Sequence, residues 1–219
     1  MLGQNPKRGY EKSDGKILKV QNIFLTFQGE GPYVGYPALF IRLGGCNLAC
    51  NFCDTEFENF EEKSIDEILA KTLNLTRGTK CSLVVLTGGE PLRQNIIPIC
   101  EILLDHGFRI QIESNGTLYQ KLPESVEVVC SPKISNGQYH NIREDLNEYI
   151  IGYKFLISQT MEYYNSVPDW DFTGKSVYVQ PMDELNEVKN LENNKLAMEI
   201  STNRGFIFAI QMHKLVGIE

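Results

Sequence analysis

The sequence predicts an α/β protein, an incomplete, open (βα)-type partial TIM barrel of about six mainly parallel strands. Three observations carry this expectation. Short apolar, β-rich runs recur at 38–43 (ALFIRL), 82–87 (SLVVLT), 109–113, 126–130, 154–157 and 177–180. Stretches with helical spacing separate several of them, as βα units require. The runs fall short of the eight strands that close a barrel. At 219 residues the chain is long enough for one domain with a sizeable core. Residues 1–16 are polar, contain glycine and show no periodicity, so they are expected to form a flexible leader before a single domain over 17–219.

In chain order, the run at 38–43 leads directly into a loop that carries Cys46, Cys50 and Cys53. Ser64-Ile-Asp-Glu67 has the form of a capping box, in which serine and glutamate satisfy each other's backbone donors. It opens a helix with Ile65, Ile68, Leu69 and Thr72 along one face. The run at 82–87 reads as a buried strand ending at Gly88-Gly89, and 96–106 reads as the next helix. Strands at 109–113, 126–130, 154–157 and 177–180 follow, then a helix over 185–198 and a last strand over 205–212. The polar segment 134–152, with Asn136-Gly137, is expected to be irregular where a helix would otherwise stand. No internal repeat or low-complexity tract interrupts this order.

Bulk composition narrows the function. A net charge of −7 argues against a large nucleic-acid surface, because clustered Lys and Arg carry phosphate affinity. No apolar run approaches the ~20 residues that span a bilayer. The first ten residues, MLGQNPKRGY, lack the apolar stretch of a secretory signal. Six cysteines in 219 residues do not form a disulfide scaffold, so a cytoplasmic protein is expected. Cys81, Cys100 and Cys130 lie among apolar neighbours and read as core residues.

In βα folds, reactive residues collect at the carboxyl ends of strands. Five polar motifs occupy such positions here: the cysteine loop, 87–91 (TGGEP), 113–117 (ESNGT), 131–133 (SPK) and 180–183 (QPMD). The three loop cysteines lie within eight residues; the next cysteine is Cys81 and the first histidine is His106. A closed zinc site or a ferredoxin-type cubane takes four protein ligands. Three thiolates would leave one iron of a four-iron cluster open to a small molecule.

The spacing Cys-x3-Cys-x2-Cys resembles the radical S-adenosylmethionine (SAM) enzymes, in which SAM chelates the open iron of a 4Fe–4S cluster. That resemblance implies cluster ligation by Cys46, Cys50 and Cys53. It also implies SAM contacts from Phe52 beside the adenine, with Cys53 and Asp54 adjacent. Gly88, Gly89 and Glu90 would meet the methionine ammonium, and Ser131, Pro132 and Lys133 the carboxylate or ribose. Gln180, Pro181, Met182 and Asp183 would meet the adenine edge.

A second set of residues points to the substrate. Thr26-Phe27-Gln28-Gly29-Glu30-Gly31, Phe40-Ile41-Arg42, Asp54-Thr55 and Gln211-Met212-His213-Lys214 flank the cysteine loop and close the chain. Together they resemble the 7-carboxy-7-deazaguanine synthase family from about Val20 to the C-terminus. The resemblance implies a lyase of queuosine and deazapurine biosynthesis acting on 6-carboxy-5,6,7,8-tetrahydropterin. A 5′-deoxyadenosyl radical takes a hydrogen atom from the pterin, the ring contracts with loss of ammonia, and SAM is recycled. Phe27, Gln28, Gly29 and Glu30 would bind the guanine-like edge, and Arg42 the substrate carboxylate as a forked pair. Thr55 supplies a hard oxygen for Mg2+. Thr87, His213 and the chain-terminal Glu219 complete the substrate set. A homodimer and a flavodoxin- or ferredoxin-type electron donor are implied partners; nucleic acid and membrane are not. Two other readings share some of these features. A glycyl-radical activase would use the cysteine spacing and the GGEP element but has no need for Glu30, Arg42 and Thr55 as a set. An iron–sulfur or zinc interaction module would need no SAM pocket.

Overall fold

The structure, a computed structural model, describes residue 3 and residues 5–218. Its strands are β1 (Ile17–Phe27), β2 (Pro37–Leu43), β3 (Glu61–Ser64), β4 (Leu83–Gly88), β5 (Arg109–Ser114) and β6 (Glu127–Cys130). They continue with the short pair β7 (Ile134–Ser135) and β8 (Gln138–Tyr139), then β9 (Ile150–Ile157), β10 (Ser176–Pro181) and β11 (Ile207–Phe208). The helices are α1 (Ile65–Thr76), α2 (Ile97–Asp105), α3 (Glu187–Arg204) and α4 (Met212–Val216).

Uninterrupted apolar strands are the pattern of a sheet covered on both faces. Accordingly, Leu83–Leu86 of β4 and Ile110–Ile112 of β5 are buried throughout and lie at the centre of one nine-stranded sheet. The strand order is β11-β10-β9-β6-β5-β4-β2-β1-β3. All neighbours from β2 to β11 pair in parallel, and β1 runs antiparallel to both β2 and β3. The sheet is open, and six of its parallel strands are four residues or longer, β11 being a two-residue edge. Fully buried Leu86 shows what the core contributes, since truncating such a side chain to Ala costs about 2–5 kcal/mol.

Local signals place most elements. Glu67 N–H donates to Ser64 Oγ at 3.3 Å and Ser64 N–H donates to Glu67 Oε2 at 2.8 Å, which completes the capping box of α1. Gly205, at φ 67°, ends α3 in the left-handed conformation, so that helix runs beyond the expected residue 198. Asn136 and Gly137, both at positive φ, form the β7–β8 turn, and β9 begins at Ile150, before the expected residue 154.

Two expectations need correction. The eleven-residue β1 is not among the expected strands, because Lys19, Gln21, Asn22 and Thr26 break its apolar residues into short pieces. Leu18, Val20 and Ile23 face the core while Ile17, Leu25 and Phe27 stay exposed. The strand expected over 205–212 shrinks to Ile207–Phe208, and the chain then turns into α4. Gln211 and His213 therefore reach the sheet edge from a short helix.

Candidate active site

The parallel strands point their carboxyl ends at one edge, where a cavity of about 460 Å³ opens. It is lined from β1 and its exit by Phe24, Phe27, Gln28, Gly29 and Glu30, and from β2 by Arg42. The cysteine loop contributes Cys46, Cys50, Phe52, Cys53, Asp54 and Thr55. The ends of β4, β5, β6 and β10 add Thr87, Gly88 and Gly89; Glu113; Ser131 and Lys133; and Gln180, Pro181, Met182 and Asp183. Lys154 from β9 and Gln211, His213 and Lys214 near α4 close it. Two proposed contacts lie outside this lining. Glu90 is wholly buried and accepts from Leu92 N–H at 3.1 Å, Ser114 Oγ at 2.9 Å and Asn115 N–H at 2.7 Å, so it fastens β4 to β5. Pro132, buried between Ser131 and Lys133, does not line the cavity. Glu219 lies outside the described residues.

At the cysteine end, Cys46 is buried and Cys50 and Cys53 are partly exposed. Burial pushes the Cys46 thiol up to about 12 and also raises Cys50, where nearby Lys133 opposes it. Such sulfurs remain thiols until a metal's positive charge displaces the proton. Among the described residues no three His, Cys, Asp or Glu side chains converge tightly enough to hold one metal ion. A cubane presents a different iron to each thiolate, so it does not require that convergence. The loop is tied to β5 by Asn47, which accepts from Asn115 Nδ2 at 2.9 Å and donates to Thr117 Oγ1 at 2.7 Å. Lys214 links Asp54 at 2.8 Å to Asp183 at 3.0 Å, joining the loop to the end of β10. Phe52 meets Tyr164 edge-on at 5.1 Å.

Gly88 explains why glycine ends β4. Its φ is 124°, and an added Cβ would lie 2.0 Å from the Leu43 carbonyl oxygen. Lys133, half-buried at the cavity wall, donates to the Ser131 carbonyl at 2.7 Å and to Ser131 Oγ at 2.6 Å.

The opposite end is built on charge. Lys154, in an otherwise apolar strand, is buried and ion-paired with Glu30 and, at 2.8 Å, with Glu113. Glu30 Oε1 also accepts from Gln180 at 3.2 Å and Gln211 at 2.8 Å, and Glu113 Oε1 accepts from Gln111 at 2.6 Å. Burial pushes the Glu30 carboxyl upward, but the Lys154 charge and these hydrogen bonds outweigh it and hold the group at about 2. Burial likewise opposes the Lys154 ammonium, and Glu113 and Glu30 reverse the balance and raise it. Arg42 lies over the Phe24 ring at 5.3 Å, and Phe24 stacks on Phe40 at 5.4 Å. Burial lowers the His213 pKa, with Glu30 opposing, so its imidazole is neutral at pH 7. Gly29 permits the close approach of His213, whose Nδ1 would lie 2.3 Å from an added Cβ.

The donors fit small polar ligands. Arg42 Nε and Gln180 Oε1 are buried without a hydrogen-bond partner, and both residues line the cavity. Unsatisfied groups of this kind cost about 1–3 kcal/mol unless something else pairs with them. Together with the three cysteines and the open backbone at Gly88, they suit a cluster, SAM and a carboxylated heterocycle. Lys154, Glu113, Gln211, Lys214, Phe24 and Asn47 carry none of the expected site roles. For Lys154 and Glu113 the signal is a charge inside an apolar strand, which acquires meaning only once the strands pair; the others carry no such local signal.

An open parallel sheet with a three-cysteine loop at its carboxyl edge is the architecture of a radical SAM protein. Residues 40–133 match the Radical SAM superfamily, whose cofactors are a 4Fe–4S cluster and SAM. The chain is 50% identical to the 7-carboxy-7-deazaguanine synthase of Rickettsia prowazekii, over 100% of this chain and 96% of that one. It is 30% identical to the synthase of Methanospirillum hungatei, over 92% of this chain and 86% of that one. The crystal structure of QueE from Escherichia coli superposes with a TM-score of 0.72 at 24% identity, covering 90% and 95% of the two chains, and shares the fold. The chain belongs to the 7-carboxy-7-deazaguanine synthase family.

Proposed function

We propose that this chain converts 6-carboxy-5,6,7,8-tetrahydropterin to 7-carboxy-7-deazaguanine with loss of ammonia, as a carbon–nitrogen lyase. The observation that carries the proposal is one cavity with three cysteines at one end and Glu30, Glu113 and the unpaired Arg42 Nε at the other. When bound, the cluster supplies the electron that cleaves SAM reductively, and the resulting radical chemistry belongs to the cofactor.

The protein's part is holding and orienting. Cys46, Cys50 and Cys53 hold the cluster, and the backbone at Gly88 and Gly89, with Ser131, Lys133 and the 180–183 turn, holds SAM. Ionised Glu30 accepts from the pterin's guanine-like N–H groups, with Gln28 beside it, and this requires Gln180 and Gln211 to yield their bonds to Oε1. Arg42 meets the carboxylate, fixed in direction by its seat on Phe24. Thr55 Oγ1, 3.3 Å from Asp54 Oδ1, offers a hard oxygen for Mg2+ at the junction of the two halves. Thr87 and neutral His213 complete the substrate's surroundings.

A homodimer, a flavodoxin- or ferredoxin-type electron donor and a cytoplasmic setting belong to the same proposal. Exposed Ile207 and Phe208 on β11, with Leu215 and Val216 on α4, offer an apolar surface for the dimer, and no helix among the described residues is long and apolar enough to cross a membrane. Ammonia release from reconstituted, reduced protein tests the reaction. Release that needs both SAM and the carboxytetrahydropterin is expected; no ammonia with both present would refute the proposal.

A further inference from the structure

Gly3 and residues 5–11 bind the cysteine loop at both ends. Gly3 N–H donates to the Cys53 carbonyl at 3.1 Å, and Arg8 N–H donates to the Cys46 carbonyl at 2.7 Å, beside the isolated parallel bridge of Lys7 with Cys46. Arg8 also pairs with Glu58 at 2.6 Å, and Glu11 pairs with Arg93 at 3.1 Å. Between these anchors, Asn5 Nδ2 lies 2.9 Å from the Thr55 carbonyl oxygen and 3.8 Å from Cys53 Sγ. A carbonyl can only accept, so the Asn5 atom facing it is the NH₂ group, whose two N–H bonds serve both acceptors.

We propose that Asn5 is a positioning residue for the cluster, clamping the third cysteine ligand and donating a hydrogen bond to its sulfur. The inference rests on the assignment of Cys46, Cys50 and Cys53 as cluster ligands. In the free loop, the Cys53 thiol also points at the Thr55 carbonyl, 3.6 Å away. A sulfur bound to iron has no proton to give, so that bond disappears and Asn5 becomes the donor to both atoms. Hydrogen bonds to ligating sulfurs withdraw charge from a cluster and favour its reduced state. Groups that orient a metal's ligands contribute about 10–100-fold to metal affinity or activity. The same amide fixes the Thr55 backbone, so it links the position of the cluster to that of the Mg2+ oxygen.

Asn5→Ala removes both donors, and Asn5→Asp replaces them with acceptors. In reconstituted full-length protein, both variants are expected to lose iron to a chelator about tenfold faster than wild type. Their cluster midpoint potential, read by redox titration with electron paramagnetic resonance, is expected to move to more negative values, further for Asp than for Ala. Lys12→Ala, an exposed change one residue beyond this segment, should match wild type in both measurements. An unchanged potential in both Asn5 variants would overturn the inference, even with faster iron loss, because packing alone would then explain the clamp. A wild-type protein that assembles no cluster would instead overturn the ligand assignment beneath it.

Discussion

Lys154 Nζ donates to Glu113 at 2.8 Å from the floor of the cavity, and the same ammonium holds Glu30 on its other side. One buried cation thus holds the substrate-facing Glu30 carboxyl well below its ordinary pKa in a place where burial alone would raise it. Lys154→Met leaves both without a counter-charge, a change that costs about 3–5 kcal/mol in a buried pair. In wild type, the depressed Glu30 pKa gives stability that is full above its ordinary value of 4.5 and lost as pH falls towards about 2. In the variant, burial raises the Glu30 carboxyl, so the sign reverses and acidification from pH 7 to pH 5 should stabilise it. Urea unfolding at the two pH values checks this; equal midpoints for variant and wild type at pH 7 would contradict it.

Only three of the six cysteines line the cavity. Alanine at Cys46, Cys50 or Cys53 should abolish cluster assembly, read as iron and sulfide content. Cys100 and Cys130 are fully buried in the core, and Cys81 is nearly so. Alanine at these should cost about 1 kcal/mol and leave the cluster intact. A full cluster in Cys50→Ala would remove the basis of the site.

His213 packs against Gly29, and Met212 N–H donates to the Gly29 carbonyl at 3.0 Å, so α4 is seated on the substrate loop. Gly29→Ala places a Cβ where His213 Nδ1 now lies and must displace the ring. Substrate KM should rise about tenfold or more while cluster content and SAM binding stay unchanged. A wild-type KM in this variant would show that His213 is not held for the substrate.

Thr55→Ala should retain the cluster and SAM binding but lose stimulation by Mg2+. Magnesium prefers oxygen ligands and often takes only one or two from the protein. If Mg2+ made no difference to the wild-type rate, Thr55 would have no metal role.

The features legible in sequence were those that demand particular residues at short spacing. The cysteine triplet, the glycines after β4 and the capping box of α1 are of this kind, because local geometry leaves little choice. Lys154 was not legible. It sits in the run Ile150–Ile157 (IIGYKFLI), where a lysine reads as an interruption of an apolar strand. Its partners lie 41 and 124 residues away, one in β5 and one in the turn after β1, and only the folded sheet brings them together. Glu90 shows the converse. It belongs to the motif read as facing SAM, yet the turn directs its carboxylate inward to the backbone of 92 and 115. β1 escaped for a third reason, since Lys19, Gln21, Asn22 and Thr26 break its apolar residues into pieces too short to mark a strand.

The most direct measurement is the product itself. Reconstituted protein, reduced and incubated without oxygen with SAM, Mg2+ and 6-carboxy-5,6,7,8-tetrahydropterin, should yield 7-carboxy-7-deazaguanine by mass spectrometry, with SAM turned over less than once per product. Consumption of SAM to 5′-deoxyadenosine with the pterin recovered unchanged would contradict the account.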